Sequence, residues 1–148
     1  MKKTQGLKAL YTVALGYLAR REHSTYELIN KLKTKTDQTE FIPEVIAELT
    51  QRNYLNDMRF AESYSRMRSN RGYGKLRIQA ELKERGIVVD PRLRGDDGGG
   101  DIKKIREKKF GEILPSDIKE KSRQARFLQY RGFSFDEIKR VLNNDDDE

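Results

Sequence analysis

One helix ending is written twice in this chain, and it limits the fold more than any other feature. Leu82, Arg85, Gly86 and Ile87 in AELKERGI recur in the same order as Leu128, Arg131, Gly132 and Phe133 in ARFLQYRGF. A glycine after a helical run supplies the left-handed conformation that stops a helix, and the apolar residue behind it closes over the last turn. Leu32 is the matching leucine of an earlier segment, so the echoes lie 50 and 46 residues apart, an interval typical of helical repeats. The chain reads as three imperfect three-helix modules.

The local signals agree with that reading. Leu7, Leu10, Tyr11, Ala14, Leu15 and Leu18 share one helical stripe and predict a first helix ending near Glu22. Ser24 and Glu27 form a capping box that opens a second helix carrying Leu28, Ile29 and Leu32. Pro43 suits the first turn of a third, whose stripe is Ile42, Val45, Ile46 and Leu49. Asn53 fits a left-handed cap, and Asp57 is expected to cap a fourth helix with Phe60, Ala61, Tyr64 and Met67 on its apolar face. Gly72 and Gly74 interrupt that helix, a fifth runs from Lys75 to Gly86, and Ser134 with Glu137 caps a last one bearing Ile138, Val141 and Leu142.

The expected modules are residues 1–53, 54–100 and 101–143, followed by an acidic disordered tail at 144–148. In the middle module RLRGDDGGGD replaces a third helix. Three consecutive glycines cost a helix too much backbone entropy, so a flexible loop is expected at 92–101. Such short modules bury too little apolar surface alone, which predicts an all-α, elongated tandem array packed in series. The competing reading is one compact bundle whose echoes reflect shared capping chemistry.

Composition decides what such an array meets. Of the 148 residues 37% are charged and 35% apolar, with a net charge of +7, which favours phosphate-rich or acidic partners. The absence of cysteine excludes disulfides, thiolate catalysis and cysteine zinc sites, and makes the cytoplasm the expected compartment. No apolar run reaches the roughly 18 residues that span a bilayer, so no membrane partner is expected.

The strongest functional feature is a basic cluster around the paired glycines: Arg66, Arg68, Arg71, Lys75 and Arg77, with Arg85 at the next helix end. Arginine forks fit phosphate oxygens and glycine permits close backbone approach, while Tyr73 has two roles open to it, stacking on a base or packing on a neighbouring helix. The bland reading is a solvated helix face. His23, the only histidine, has no partner spaced for catalysis or metal binding, and Asp96, Asp97 and Asp101 lack the ligand spacing of a calcium loop. No GxxxxGK[ST] sequence occurs. The reading is a binding protein without cofactor or metal, not an enzyme.

Three stretches, ALGYLARREHSTYELINKLKTK, IPEVIAELTQRNYLNDMRFAESYSRMRSNRGYGKLRIQAELKERGI and FLQYRGFSFDEIKRVL, together resemble the RecX family of recombinase modulators. The most specific parts are Tyr54, Leu55 and Asp57 followed by Phe60 and Ala61, the segment from Gly74 to Gly86, and Arg131, Gly132, Phe133 and Ser134. The resemblance implies tandem three-helix modules, acting as a monomer, that bind the filament of the RecA recombinase on single-stranded DNA and inhibit it, in control of recombination and the DNA-damage response. RLRGDDGGGD departs from the family pattern, where an apolar helix is expected. Alternatives of other classes are a helix-turn-helix DNA reader and a protein-interaction adaptor whose charge serves solubility.

Overall fold

The structure is a computed structural model describing residues 2–88 and 99–143. The acidic tail and the expected loop as far as Gly98 lie outside those residues. Every regular element among the described residues is helical: α1 Lys2–Arg20, α2 Thr25–Lys33, a 3-10 turn Thr39–Phe41, α3 Ile42–Gln51, α4 Asp57–Asn70, α5 Lys75–Glu84, α6 Ile102–Phe110, α7 Ile118–Tyr130 and α8 Phe135–Asn143. The chain divides into two compact units, residues 1–63 with 83–87 and residues 64–82 with 88–148, so α4 and α5 each contribute to both.

The first unit is built on the stripes the spacing predicts. Leu10 and Ala14 from α1, Leu28 and Leu32 from α2, and Val45 and Leu49 from α3 form its core, which Leu55 closes. A leucine fully removed from water contributes about 2 kcal/mol, so these positions dominate the unit's stability. The Ser24 hydroxyl accepts from the Glu27 amide while the Glu27 carboxylate accepts from the Ser24 amide, completing the expected capping box. Asn53 adopts φ +61°, and the Tyr54 amide reaches back to the Leu49 carbonyl at 2.9 Å, closing α3 as a Schellman turn.

Two expectations for α4 require correction. Its cap is Asn56, whose Oδ1 accepts from the Arg59 amide at 3.0 Å. Asp57 instead accepts from the Thr25 amide at 2.7 Å, so it serves the first turn of α2 from 32 positions away. Met67 is exposed, and of the four residues expected on the apolar face only Phe60 is fully buried.

The second unit holds α6, α7 and α8 around Leu128, Phe133, Ile138 and Leu142, with Ile105, Phe127 and Val141 packed on them. Asp101, read in sequence as part of a flexible acidic turn, caps α6 by accepting from the Lys103 and Lys104 amides. Ser134 and Glu137 form the second expected capping box. Arg106 lies in the interior, where Nη1 donates to the Gln124 side chain at 3.3 Å and Nη2 to the Glu112 carbonyl at 3.2 Å.

The repeated ending does more than stop α7. Gly132 has φ +100°, and beyond it the Arg131 and Gly132 carbonyls accept from the Gly74 and Leu76 amides at 2.7 and 3.0 Å. The carbonyl end of one helix thus satisfies the amide end of another, and the two dipoles attract. An added Cβ at Gly74 would lie 2.5 Å from the Gly132 carbonyl, so the joint depends on glycine at both positions.

Candidate nucleic-acid interface

All seven basic and aromatic residues singled out in the sequence lie on α4, on α5 or on the turns that end them, and the structure sorts them into distinct environments. Arg68 and Arg77 converge on Glu81. Arg68 binds its carboxylate through Nε at 2.8 Å and Nη2 at 2.9 Å, Arg77 through Nε at 3.2 Å, and the Tyr64 hydroxyl donates to it at 3.0 Å. Burial opposes the charge on Glu81, but these donors outweigh it and hold the carboxyl below its ordinary value. The hydrogen bond to Glu81 raises Arg68; for Arg77 burial pulls downward and is overcome by bonds to the side chains of Glu81 and Tyr130.

Of the two roles open to Tyr73, the structure shows packing. The guanidinium carbons of Arg68, Arg77 and Arg131 lie 3.8, 4.5 and 4.9 Å from its ring centre. Each such cation–π contact contributes about 0.5–2 kcal/mol, so ring and arginines form a stack that fixes the corner between α4 and α5. Arg131 also donates to the Arg71 carbonyl at 3.1 Å.

Arg66, Arg71 and Lys75 stand apart from this stack. Arg66 and Arg71 are exposed and Lys75 is half-buried at the start of α5, and none of the three has an ion-pair partner among the described residues. Arg85 falls in the first unit, 3.9 Å from the carboxylates of Glu27 and Glu84. Sequence reasoning missed Glu81, Tyr130 and Arg131 as partners of the cluster. The Arg77 and Glu81 spacing of four residues on one helix was a usable signal for the first. Nothing local points to the other two, which arrive from α7 and the turn after it.

His23 is buried in the first unit. Its Nδ1 donates to the Arg21 carbonyl at 3.1 Å, which leaves Nε2 to accept from Lys31 Nζ at 2.7 Å. Lys31 in turn sits 4.9 Å from the Tyr17 ring centre. Burial holds His23 below its ordinary value of 6.5, against the opposing effect of the backbone bond. The folded state therefore keeps the ring neutral while the unfolded chain takes up a proton below about pH 6.5. Stability should fall as pH drops below about 6.5 and this decline should be absent in His23→Gln, as read by urea unfolding; the depressed carboxyls Glu27 and Glu81 enter only below their ordinary 4.5. No group of metal-ligating side chains occurs among the described residues, and no described helix is long and apolar enough to cross a membrane.

Residues 11–49, 56–88 and 102–142 match, in that order, the first, second and third three-helix domains of RecX. The chain belongs to the RecX family. RecX relatives run its whole length: the regulatory protein RecX of Pseudomonas fluorescens is 37% identical over 142 residues, covering 93% of this chain and 92% of that one. The regulatory protein RecX of Pseudomonas tolaasii is 39% identical over 145 residues, with 95% and 94% covered. The crystal structure of RecX from Lactobacillus salivarius shares the fold at a TM-score of 0.76 and 23% identity, over 97% of this chain and 98% of that one. The expectation of a regulatory, non-enzymatic protein of tandem three-helix domains is borne out by RecX membership.

Proposed function

We propose that this member of a family of RecA modulators binds the filament that the recombinase forms on single-stranded DNA and restrains its ATPase and strand-exchange activity. The observation that carries this reading is the succession of all three RecX domains along the chain, in the family's order. The charge supports it: a net +7 favours a polyanion-coated target, and Arg66, Arg71 and Lys75 present cations that no carboxylate neutralises among the described residues. Arg68, Tyr73 and Arg77 act as the frame that holds this surface, and Arg85 contributes from its own unit. Several domains engaging successive subunits at once multiply modest affinities through effective concentration, without chemistry or cofactor. The place of action in this reading is the cytoplasm, and the acting species is the monomer.

The test is the DNA-dependent ATPase of the cognate RecA recombinase titrated with this protein. Inhibition is expected, and Arg66→Ala/Arg71→Ala should need about tenfold more protein and show a shallower salt dependence, since two phosphate contacts are lost. An ATPase rate untouched by saturating wild-type protein would end the filament reading. Filter binding to naked duplex, bare strand and recombinase-coated strand separates the alternatives: preference for the coated strand supports the proposal, and sequence-selective duplex binding supports a helix-turn-helix reader instead.

A further inference from the structure

Several arginines of this protein are engaged by neighbouring carboxylates: Arg21 by Glu27, Arg52 by Glu48, Arg59 by Glu22, Arg68 and Arg77 by Glu81, Arg123 by Glu120. One recess gathers cations that are not. Within the second unit, the turn that ends α4, one face of α6 and the end of α7 enclose about 360 Å³. Arg71, Lys104, Lys108, Lys109 and Arg131 line it, with Phe127 among the apolar walls, and no acidic residue does. None of the five cations has a carboxylate within ion-pair distance among the described residues.

Five like charges gathered in a concave site repel one another and focus a positive field into it, an arrangement that stabilises an anion and destabilises the empty protein. The fold builds it with care. Lys104 and Lys108 stand four apart on α6 and therefore share a face, while Ile105 packs inward on the core beside them. Arg131 is held by its bond to the Arg71 carbonyl and by the rings of Tyr73 and Phe127, at 4.9 and 5.3 Å. Lys109 lies 5.6 Å from the Phe127 ring centre. At Gly72, φ +90° turns the chain at the wall, and an added Cβ would stand 3.4 Å from both Arg131 Nη1 and Ile105.

We propose that this recess between α4, α6 and α7 is a binding site for the phosphodiester of a single nucleic-acid strand. Its volume suits one phosphate with its sugar, and the ring and isoleucine offer the sugar an apolar wall. A single strand can turn a phosphate into a recess, whereas duplex phosphates ride on a stiff convex rod that stays at the rim. The inference deepens the filament reading, since that filament is built on a single strand, but it names residues of α6 and α7 that the α4–α5 surface does not include.

The experiment is fluorescence anisotropy of the whole chain with labelled oligothymidylate, in the absence of recombinase. Lys104→Ala/Lys108→Ala should bind about tenfold more weakly at 0.1 M salt and lose about 1.4 from the slope of log affinity against log salt, at about 0.7 per phosphate contact. Lys121→Ala/Lys139→Ala removes the same charge from the rim of a separate apolar groove and should change the slope less. Circular dichroism confirms that both variants stay folded. Equal affinity and slope for the two variants would overturn the proposal. Full displacement of the strand by inorganic phosphate at matched ionic strength would also overturn it, making the recess a site for the free ion. So would loss of recombinase inhibition with unchanged strand binding, which would assign the recess to an acidic protein surface. If the strand binds through these lysines while recombinase ATPase is unaffected, the filament reading falls and this site stands.

Discussion

Gly132→Ala is expected to lower stability by about 4 kcal/mol or more. Two costs add. The residue sits at φ +100°, where a side chain strains the backbone by about 1–3 kcal/mol. An added Cβ would also lie 2.3 Å from Arg77 Cβ and 2.6 Å from Arg77 N, so relief requires moving α5 away from the end of α7. Overpacking of that kind costs about 1–3 kcal/mol more, and the movement would break the bonds from the Gly74 and Leu76 amides to the Arg131 and Gly132 carbonyls. Gly74→Ala meets the same joint from the other side and should behave alike. Gly16→Ala is the control: nothing lies within 4 Å of its Cβ and it sits inside α1, so a gain of about 0.5–1 kcal/mol is expected. Urea unfolding reads all three; a Gly132→Ala midpoint equal to that of Gly16→Ala would show that the joint does not hold the unit.

Glu81→Ala is the second large effect, with an expected loss of about 2 kcal/mol. Hydrogen bonds to charged groups contribute about 1.5–3 kcal/mol when partly shielded, and Glu81 accepts from Arg68, Arg77 and Tyr64 together. The side chains of Glu81 and Arg68 keep 17% and 14% of their exposure, so solvent moderates the effect below that of a sealed pair. Glu81→Gln, which retains an acceptor for Tyr64, should lose less. Binding should move the opposite way from stability. Removing Glu81 adds one net positive charge and leaves two guanidiniums without their carboxylate partner, so affinity for the bare strand rises while the unfolding midpoint falls. Parallel loss of both would instead show that the positioning of the surface by the Glu81 cluster outweighs the added charge.

The acid side of the stability profile follows from the same residues. Glu81 is held below its ordinary 4.5, so its contribution is intact above that pH and is lost as pH falls through the folded-state value. His23 begins its loss earlier, from about 6.5 downward, for the opposite reason: the fold excludes its charge. The two steps are separable by variant.

Most of what was legible before folding closes within about one helical turn. The Ser24–Glu27 and Ser134–Glu137 boxes, Pro43 at the start of α3, the left-handed Asn53 and the stops at Gly86 and Gly132 need partners no more than five residues away, so spacing alone reveals them. The family pattern rides on those same positions, which is why the scaffold was legible. Where a side chain's partner lies far along the chain, local rules gave the wrong assignment or none. Asp57 resembled a cap for its own helix, yet it binds Thr25 because folding carries α2 to it. Arg68, Arg71 and Arg77 read alike in sequence, yet Glu81 engages two of them and leaves Arg71 in a recess with α6 lysines from more than 30 residues downstream. Charge is a property of residues, but whether a charge is neutralised depends on which distant groups the tertiary structure brings within about 4 Å, and that decides which cations can meet a phosphate.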